Sequence, residues 1–111
     1  MKAKPVSPPS PKILQEVTRR IIQVANPRRV VLFGSAAHGR MNADSDLDVL
    51  VVVRGPVHRR RMAQEIYRNL HGVGIPVDIV VATEADLQQY GQRLGTILKP
   101  ALREGRVLYE A

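Results

Sequence analysis

RVVLFGSAAHGRMNADSDLDVLVVV, residues 29–53, joins two strand-like runs through a segment rich in small and polar residues. Two apolar, β-branched runs, Arg29 to Phe33 and Leu47 to Val53, flank a small and polar segment punctuated by Gly34 and Gly39. Short runs of this kind, stopped by glycine, read as buried strands. Gly55-Pro56 ends the second run. The gap between the runs is barely long enough for a crossover helix, so a mixed sheet fits as well as a parallel one.

Residues 1–10 (MKAKPVSPPS) are rich in Pro, Lys and Ser and read as a mobile arm. Residues 11–111 read as one domain. Ser10 is an N-cap candidate with Pro11 at the first helical position. Ile13, Leu14, Val17, Ile21 and Val24 then recur at helical spacing until Asn26-Pro27. Beyond the second strand, Val57 to Leu70 is an amphipathic helix with Met62, Ala63, Ile66, Tyr67 and Leu70 inward. Its outer face carries His58, Arg59, Arg60, Arg61 and Arg68. Val77 to Val81 reads as a third strand. Thr83 and Asp86 resemble a capping box with Asp in place of Glu, opening a helix from Glu84 to about Gly91. A further helical stretch to Arg103 and a last strand, Arg106 to Tyr109, complete the chain. Strands alternating with helices predict an α/β fold: a small mixed β-sheet with flanking helices packed mainly on one side.

Composition narrows the function classes. With 111 residues the chain suits a single domain, and 44% apolar residues support a real core. Aromatics are confined to Phe33, Tyr67, Tyr90 and Tyr109, so aliphatic side chains must fill that core. The absence of cysteine excludes disulfides, thiolate metal sites and cysteine nucleophiles. No apolar run reaches bilayer length and the N-terminus lacks an apolar signal core, so a cytoplasmic protein with no membrane association is expected. Seventeen Lys+Arg against ten Asp+Glu give a net charge of +7, which favours anionic partners: nucleoside triphosphate, nucleic acid or an acidic protein. In so basic a chain the close spacing of Asp44, Asp46 and Asp48 stands out.

The chemistry concentrates in residues 34 to 48. A helix beginning near Gly34 would aim free N–H groups at a phosphate, and glycine lets the ligand approach the backbone closely. Ser35 adds a hydroxyl donor. Asp46 and Asp48, two apart at the start of a strand, share one face, roughly 6–7 Å apart along the backbone. Two carboxylates about 5 Å apart repel by roughly 3 kcal/mol at an effective dielectric near 20. A hard divalent cation such as Mg²⁺, bound through carboxylates and substrate phosphates, offsets that repulsion. Ser45 either caps the turn into the strand or bonds a phosphate. Asp78, flanked by Val77, Ile79, Val80 and Val81, is out of place on a core strand. Beside the second strand it would face the same site, and three carboxylates suit two-metal phosphoryl or nucleotidyl transfer. Asp78 would then sit nearest the attacking hydroxyl and take its proton.

The pattern GSxxxGxxxxxSDxD, met at Gly34, Ser35, Gly39, Ser45, Asp46 and Asp48, resembles the signature of the DNA polymerase beta-like nucleotidyltransferases. The resemblance spans about residues 11 to 110 and points to the minimal nucleotidyltransferase (MNT) branch. It implies that Gly34 and Ser35 hold the triphosphate, that Asp46 and Asp48 bind metal, and that Asp78 completes the site. Two Mg²⁺ ions as cofactors and ATP as substrate follow from the same resemblance. Many minimal members carry arginines between the Gly-Ser pair and the next glycine. Here those places hold Ala36, Ala37 and His38, with Arg40 just beyond Gly39 as the replacement charge.

The expected reaction moves a nucleoside monophosphate, AMP from ATP, to a hydroxyl. Minimal members are often paired with a small helical HEPN protein as toxin and antitoxin, and the resemblance implies modification of a tyrosine on that partner. The altered loop leaves a second possibility, an inactive antitoxin that neutralises its partner by binding alone. The basic surface suggests a third, an RNA-directed transferase, although the resemblance favours a protein acceptor over nucleic acid.

Overall fold

The computed structural model describes residues 10–34, 46–90 and 105–111. Helix α1 (Pro11–Ala25) begins as its sequence predicts. Ser10 Oγ accepts from the Lys12 N–H at 3.2 Å, and Pro11 occupies the first turn, where its missing donor costs nothing. Asn26 ends the helix in the left-handed region (φ 45°) and its N–H returns to Ile22 O at 3.1 Å.

Strands β1 (Arg29–Phe33) and β2 (Leu47–Val53) have the predicted bounds. Helix α2 (Arg59–Asn69) starts two residues later than Val57, because His58 acts as its cap: Nδ1 accepts from the Arg61 N–H at 3.1 Å. Strand β3 (Val77–Thr83) runs two residues past Val81, since Ala82 and Thr83 are buried and pair with Val52 and Val53. Helix α3 (Glu84–Tyr90) and strand β4 (Arg106–Glu110) follow. The expected helical stretch before Arg103 and the arm at residues 1–9 lie outside the described residues.

The sheet order is β3-β2-β1-β4. β1 is antiparallel to β2 and to β4, whereas β2 and β3 are parallel, so the sheet is mixed. The short link between β1 and β2 therefore needs no crossover. The β2 strand is buried over most of its length, as a central strand covered on both faces should be. Leu47, Val49, Val51 and Val53 join Val30, Leu32 and Ile79 under α1 and α2, which contribute Leu14, Val17, Ile21, Ile66 and Leu70. On the other face Val31, Leu50, Val52 and Ala82 form a smaller cluster with Phe33, Val80 and Leu87 of α3. Among the described residues, no helix is long and apolar enough to cross a membrane.

Two polar devices fix the helices. Asp86 N–H donates to Thr83 Oγ1, and Thr83 N–H donates to Asp86 Oδ2, both at 2.9 Å, a reciprocal capping box. The Asp86 carboxyl is held below the usual range, first by the Arg59 guanidinium and then by the Thr83 N–H. Thr83→Ala is expected to lower stability by about 1 kcal/mol in urea unfolding. On α1, Glu16 accepts from Arg19 at 2.6 Å and from Arg20 at 2.6 Å, and Arg20 reaches across to His71 O at 2.9 Å. These bonds, Arg19 foremost, pull the Glu16 carboxyl down to about 2. A depressed carboxyl contributes stability above its unfolded value near 4.5 and loses it as pH falls toward 2. The pair is solvent-exposed, so the effect is small. Glu16→Gln is expected to flatten the acid limb of the melting-temperature profile between those values and to leave neutral pH nearly unchanged.

Candidate functional site

The site forms where β1 ends and β2 and β3 begin. Leu47 N–H donates to Pro76 O at 2.9 Å, which ties the start of β2 to the start of β3. The parallel register then sets Asp48 level with Asp78, and the antiparallel register sets Phe33 level with Asp48. Phe33, Asp48 and Asp78 thus form one row across three strands, spaced by the roughly 4.8 Å between neighbouring strands. Because Leu47 and Val49 point into the α1/α2 core, alternation turns Asp46, Asp48 and Asp78 to the opposite face, that of Leu50 and Val80.

The electrostatics are those of three like charges brought together. The Asp48 carboxyl is pushed up from the ordinary carboxylate range by burial first, then by Asp78, then by Asp46. Among the described residues, no positive side chain offsets this shift. Asp48 is half-buried, whereas Asp46 and Asp78 are exposed. Gly34 borders the group from β1, with φ at +71°. A Cβ there would meet the Asp48 side chain, lying 3.2 Å from Cγ and closer still to Oδ2. The glycine therefore gives the Asp48 carboxylate its room.

These residues fit a hard divalent cation. Their donors are all carboxylate oxygens, and Asp48 carries a repulsion that a cation would relieve. Among the described residues, no three acidic, histidine or cysteine side chains are drawn together at metal-ligand spacing. The three carboxylates share a face, and Asp48 and Asp78 a row, without closing onto a single point. Mg²⁺ needs only one or two of them beside substrate phosphates.

Of the residues singled out from the sequence, Gly34, Asp46, Asp48 and Asp78 come together at this end of the sheet. Ser35, Gly39, Arg40 and Ser45 lie outside the described residues, as do Ala36, Ala37 and His38. β3 is an edge strand of the described sheet and Asp78 is exposed, so this acid also faces solvent. Its register beside Asp48 is what separates it from an ordinary edge acid.

Tyr67 departs from its expected inner position. It is 42% exposed, and its hydroxyl accepts from the Ile79 N–H at 2.8 Å, next to Asp78. Helical spacing alone placed it inward; only the packing of α2 over the edge of β3 shows the hydroxyl's task. Met62 and Ala63 are half-buried and only Ile66 and Leu70 are fully inside. Two grooves, about 460 Å³ between α1 and β4 and about 530 Å³ beside Arg28 and Glu84, lie away from the carboxylates.

The family model described as a nucleotidyltransferase domain matches residues 11–103, nearly the whole chain. Among curated proteins no relative matches. Among solved structures, the fold is similar to that of a candidate nucleotidyltransferase from Sulfolobus solfataricus, with a TM-score of 0.60 at 20% identity over 89% of this chain and 81% of that one. Cid1 poly(U) polymerase in its MgGTP-bound form is a more distant likeness, with a TM-score of 0.44 at 17% identity over 79% of this chain. The match spans 37% of that polymerase.

Proposed function

This chain belongs to the nucleotidyltransferase domain family, and from that premise we propose that it transfers AMP from ATP to a hydroxyl group, with Asp46, Asp48 and Asp78 as its metal-binding and catalytic carboxylates. The observation that carries this reading is the row of Asp48 and Asp78 in parallel register, with Asp46 close enough to raise the Asp48 carboxyl further.

In this reading Gly34 and Ser35 offer donors to the triphosphate, with Gly39, Arg40 and Ser45 lining its path. Asp46, Asp48 and Asp78 would hold Mg²⁺, two ions in full occupancy. When bound, Mg²⁺ supplies the positive charge that neutralises the phosphates and the charge developing on the leaving pyrophosphate. The acceptor oxygen forms a bond to the α-phosphorus as the bond to pyrophosphate breaks. Asp78, exposed at the edge of the sheet, is open to the acceptor and takes its proton. The small apolar cluster of Val31, Leu50, Val52 and Ala82 backs the carboxylates and limits water on that face.

The acceptor in this reading is a tyrosine on a HEPN-type protein, and the reaction silences that protein in the cytoplasm as an antitoxin would. The resemblance of the 34–48 segment to minimal nucleotidyltransferases supports it. Incubation with α-labelled ATP, Mg²⁺ and the product of the adjacent reading frame tests it. Label is expected on the partner, and Asp46→Asn is expected to remove it. Tight partner binding with no label in the unaltered protein would instead support neutralisation by contact.

A further inference from the structure

We propose that the outer face of α2 binds a single-stranded polynucleotide, at a site separate from the carboxylates. Helix α2 carries Arg59, Arg60, Arg61 and Arg68 against one acid, Glu65. Arg59 is engaged with Asp86. Arg60, Arg61 and Arg68 are exposed, and no carboxylate pairs with them among the described residues. The first turn of α2 holds three arginines and no acid. Cations at that end oppose the helix dipole, so the helix itself gains nothing from them. An anion outside the chain is the partner that would.

The geometry favours nucleic acid over an acidic protein. Arg60, Gln64 and Tyr67 recur at intervals of four and three, a single stripe, with Arg61 and Arg68 beside it. Arg60 and Arg68 are about 12 Å apart along the axis. Tyr67 lies within this basic field, 42% exposed, with its hydroxyl fixed by the Ile79 N–H at 2.8 Å. A half-exposed aromatic held in place among guanidiniums matches how single strands are bound, by base stacking and phosphate contacts without sequence readout. A protein partner would call for an apolar centre, and Tyr67 is the one large apolar side chain exposed on this helix. The body of α2 covers the sheet face opposite Asp48 and Asp78, and Tyr67 reaches the edge of β3 only at the Ile79 N–H, so the strand would lie on the α2 side of that edge.

Fluorescence anisotropy with a labelled 20-nucleotide oligouridylate and the whole chain tests this. Three phosphate contacts predict that log K falls with log salt at a slope of about −2. Arg60→Gln/Arg61→Gln/Arg68→Gln is expected to weaken binding tenfold or more and to flatten that slope. Tyr67→Leu is expected to weaken it about fivefold with the slope kept. Tyr67→Phe, which retains the ring but loses its anchor on the Ile79 N–H, is expected to bind more tightly than Tyr67→Leu and no better than the unaltered chain, and thermal melts confirm that each variant is folded. Unchanged binding by the triple variant would overturn the proposal. So would tighter binding of the matching duplex, or displacement by polyglutamate as effective as by oligonucleotide at equal charge, which would point to an acidic protein.

Discussion

Asp48→Asn is expected to reduce nucleotidyl transfer by at least about a thousandfold, roughly 4 kcal/mol of transition-state stabilisation, while the protein stays folded and melts no lower than before. The two halves of this result share one cause. Asp48 is the half-buried member of the trio, and its carboxyl is raised by burial, by Asp78 and by Asp46 in that order. Replacing it with the isosteric amide removes one of three like charges, so the empty protein loses repulsion and gains stability. A shift of about 2–5 °C corresponds to the fraction of a kcal/mol expected for a partly screened pair in a domain of this size. In the proposed reading the same substitution removes one of the carboxylates that would hold Mg²⁺, and with it part of the charge neutralisation the metal would supply to the transfer. A third readout joins them. Mg²⁺ is expected to raise the melting temperature of the unaltered protein, by binding the folded state, and to do so much less in Asp48→Asn. Transfer is measured as label incorporated in a single turnover, and stability by melts with Mg²⁺ or with chelator. Activity within tenfold of the unaltered protein would remove Asp48 from the proposed role.

Local chemistry was legible in the sequence. Ser10-Pro11 and Asn26 bound α1, β-branched runs bound β1 and β2, and Thr83 with Asp86 caps α3. Each depends on residues within a few positions of one another. The α2 start needed His58 to be recognised as a cap through Nδ1, which its residue type does not advertise. The strand order was not legible, because it is set by pairing at long range. β3 lies beside β2 in parallel through a register fixed by Leu47, Pro76 and the alternate faces of both strands. That register turns Asp78 from an odd acid on a strand into the neighbour of Asp48. Of the candidate site, the Asp46/Asp48 pair was readable from its spacing and Asp78 only conditionally. Tyr67 was misplaced because helical periodicity cannot show that a hydroxyl will reach a backbone N–H on another element. Ser35, Gly39, Arg40 and Ser45 fall in residues 35–45, outside the described part of the chain, and their roles are carried by the sequence pattern alone.

Gly34→Ala is the second large effect expected, and here activity should fall much further than stability. Two penalties fall on a side chain at this position. The first is conformational: φ at +71° lies in the left-handed region, where an L-residue other than glycine costs on the order of 1–2 kcal/mol. The second is steric. The new Cβ would meet Asp48, within 3.2 Å of Cγ and nearer to Oδ2. The atoms in the way belong to the end of a side chain and not to the backbone, so the clash is relieved by swinging the carboxylate aside at little cost to the fold. Moving it carries Asp48 out of its row with Asp78, and a displacement of about 1 Å at reacting groups can cost a hundredfold in rate. The expected outcome is therefore a loss of about 1–2 kcal/mol in urea unfolding together with a fall in transfer of at least about a hundredfold. The stability loss fixes the backbone contribution, and Gly34→Ala in an Asp48→Asn background isolates the contact. With the carboxylate already replaced and its function gone, adding the methyl group should reduce transfer hardly further, so the two substitutions should be far from additive. If Gly34→Ala instead lowered transfer by the same factor in both backgrounds, the glycine would be acting on the triphosphate alone, and its fit against Asp48 would have no part in the chemistry.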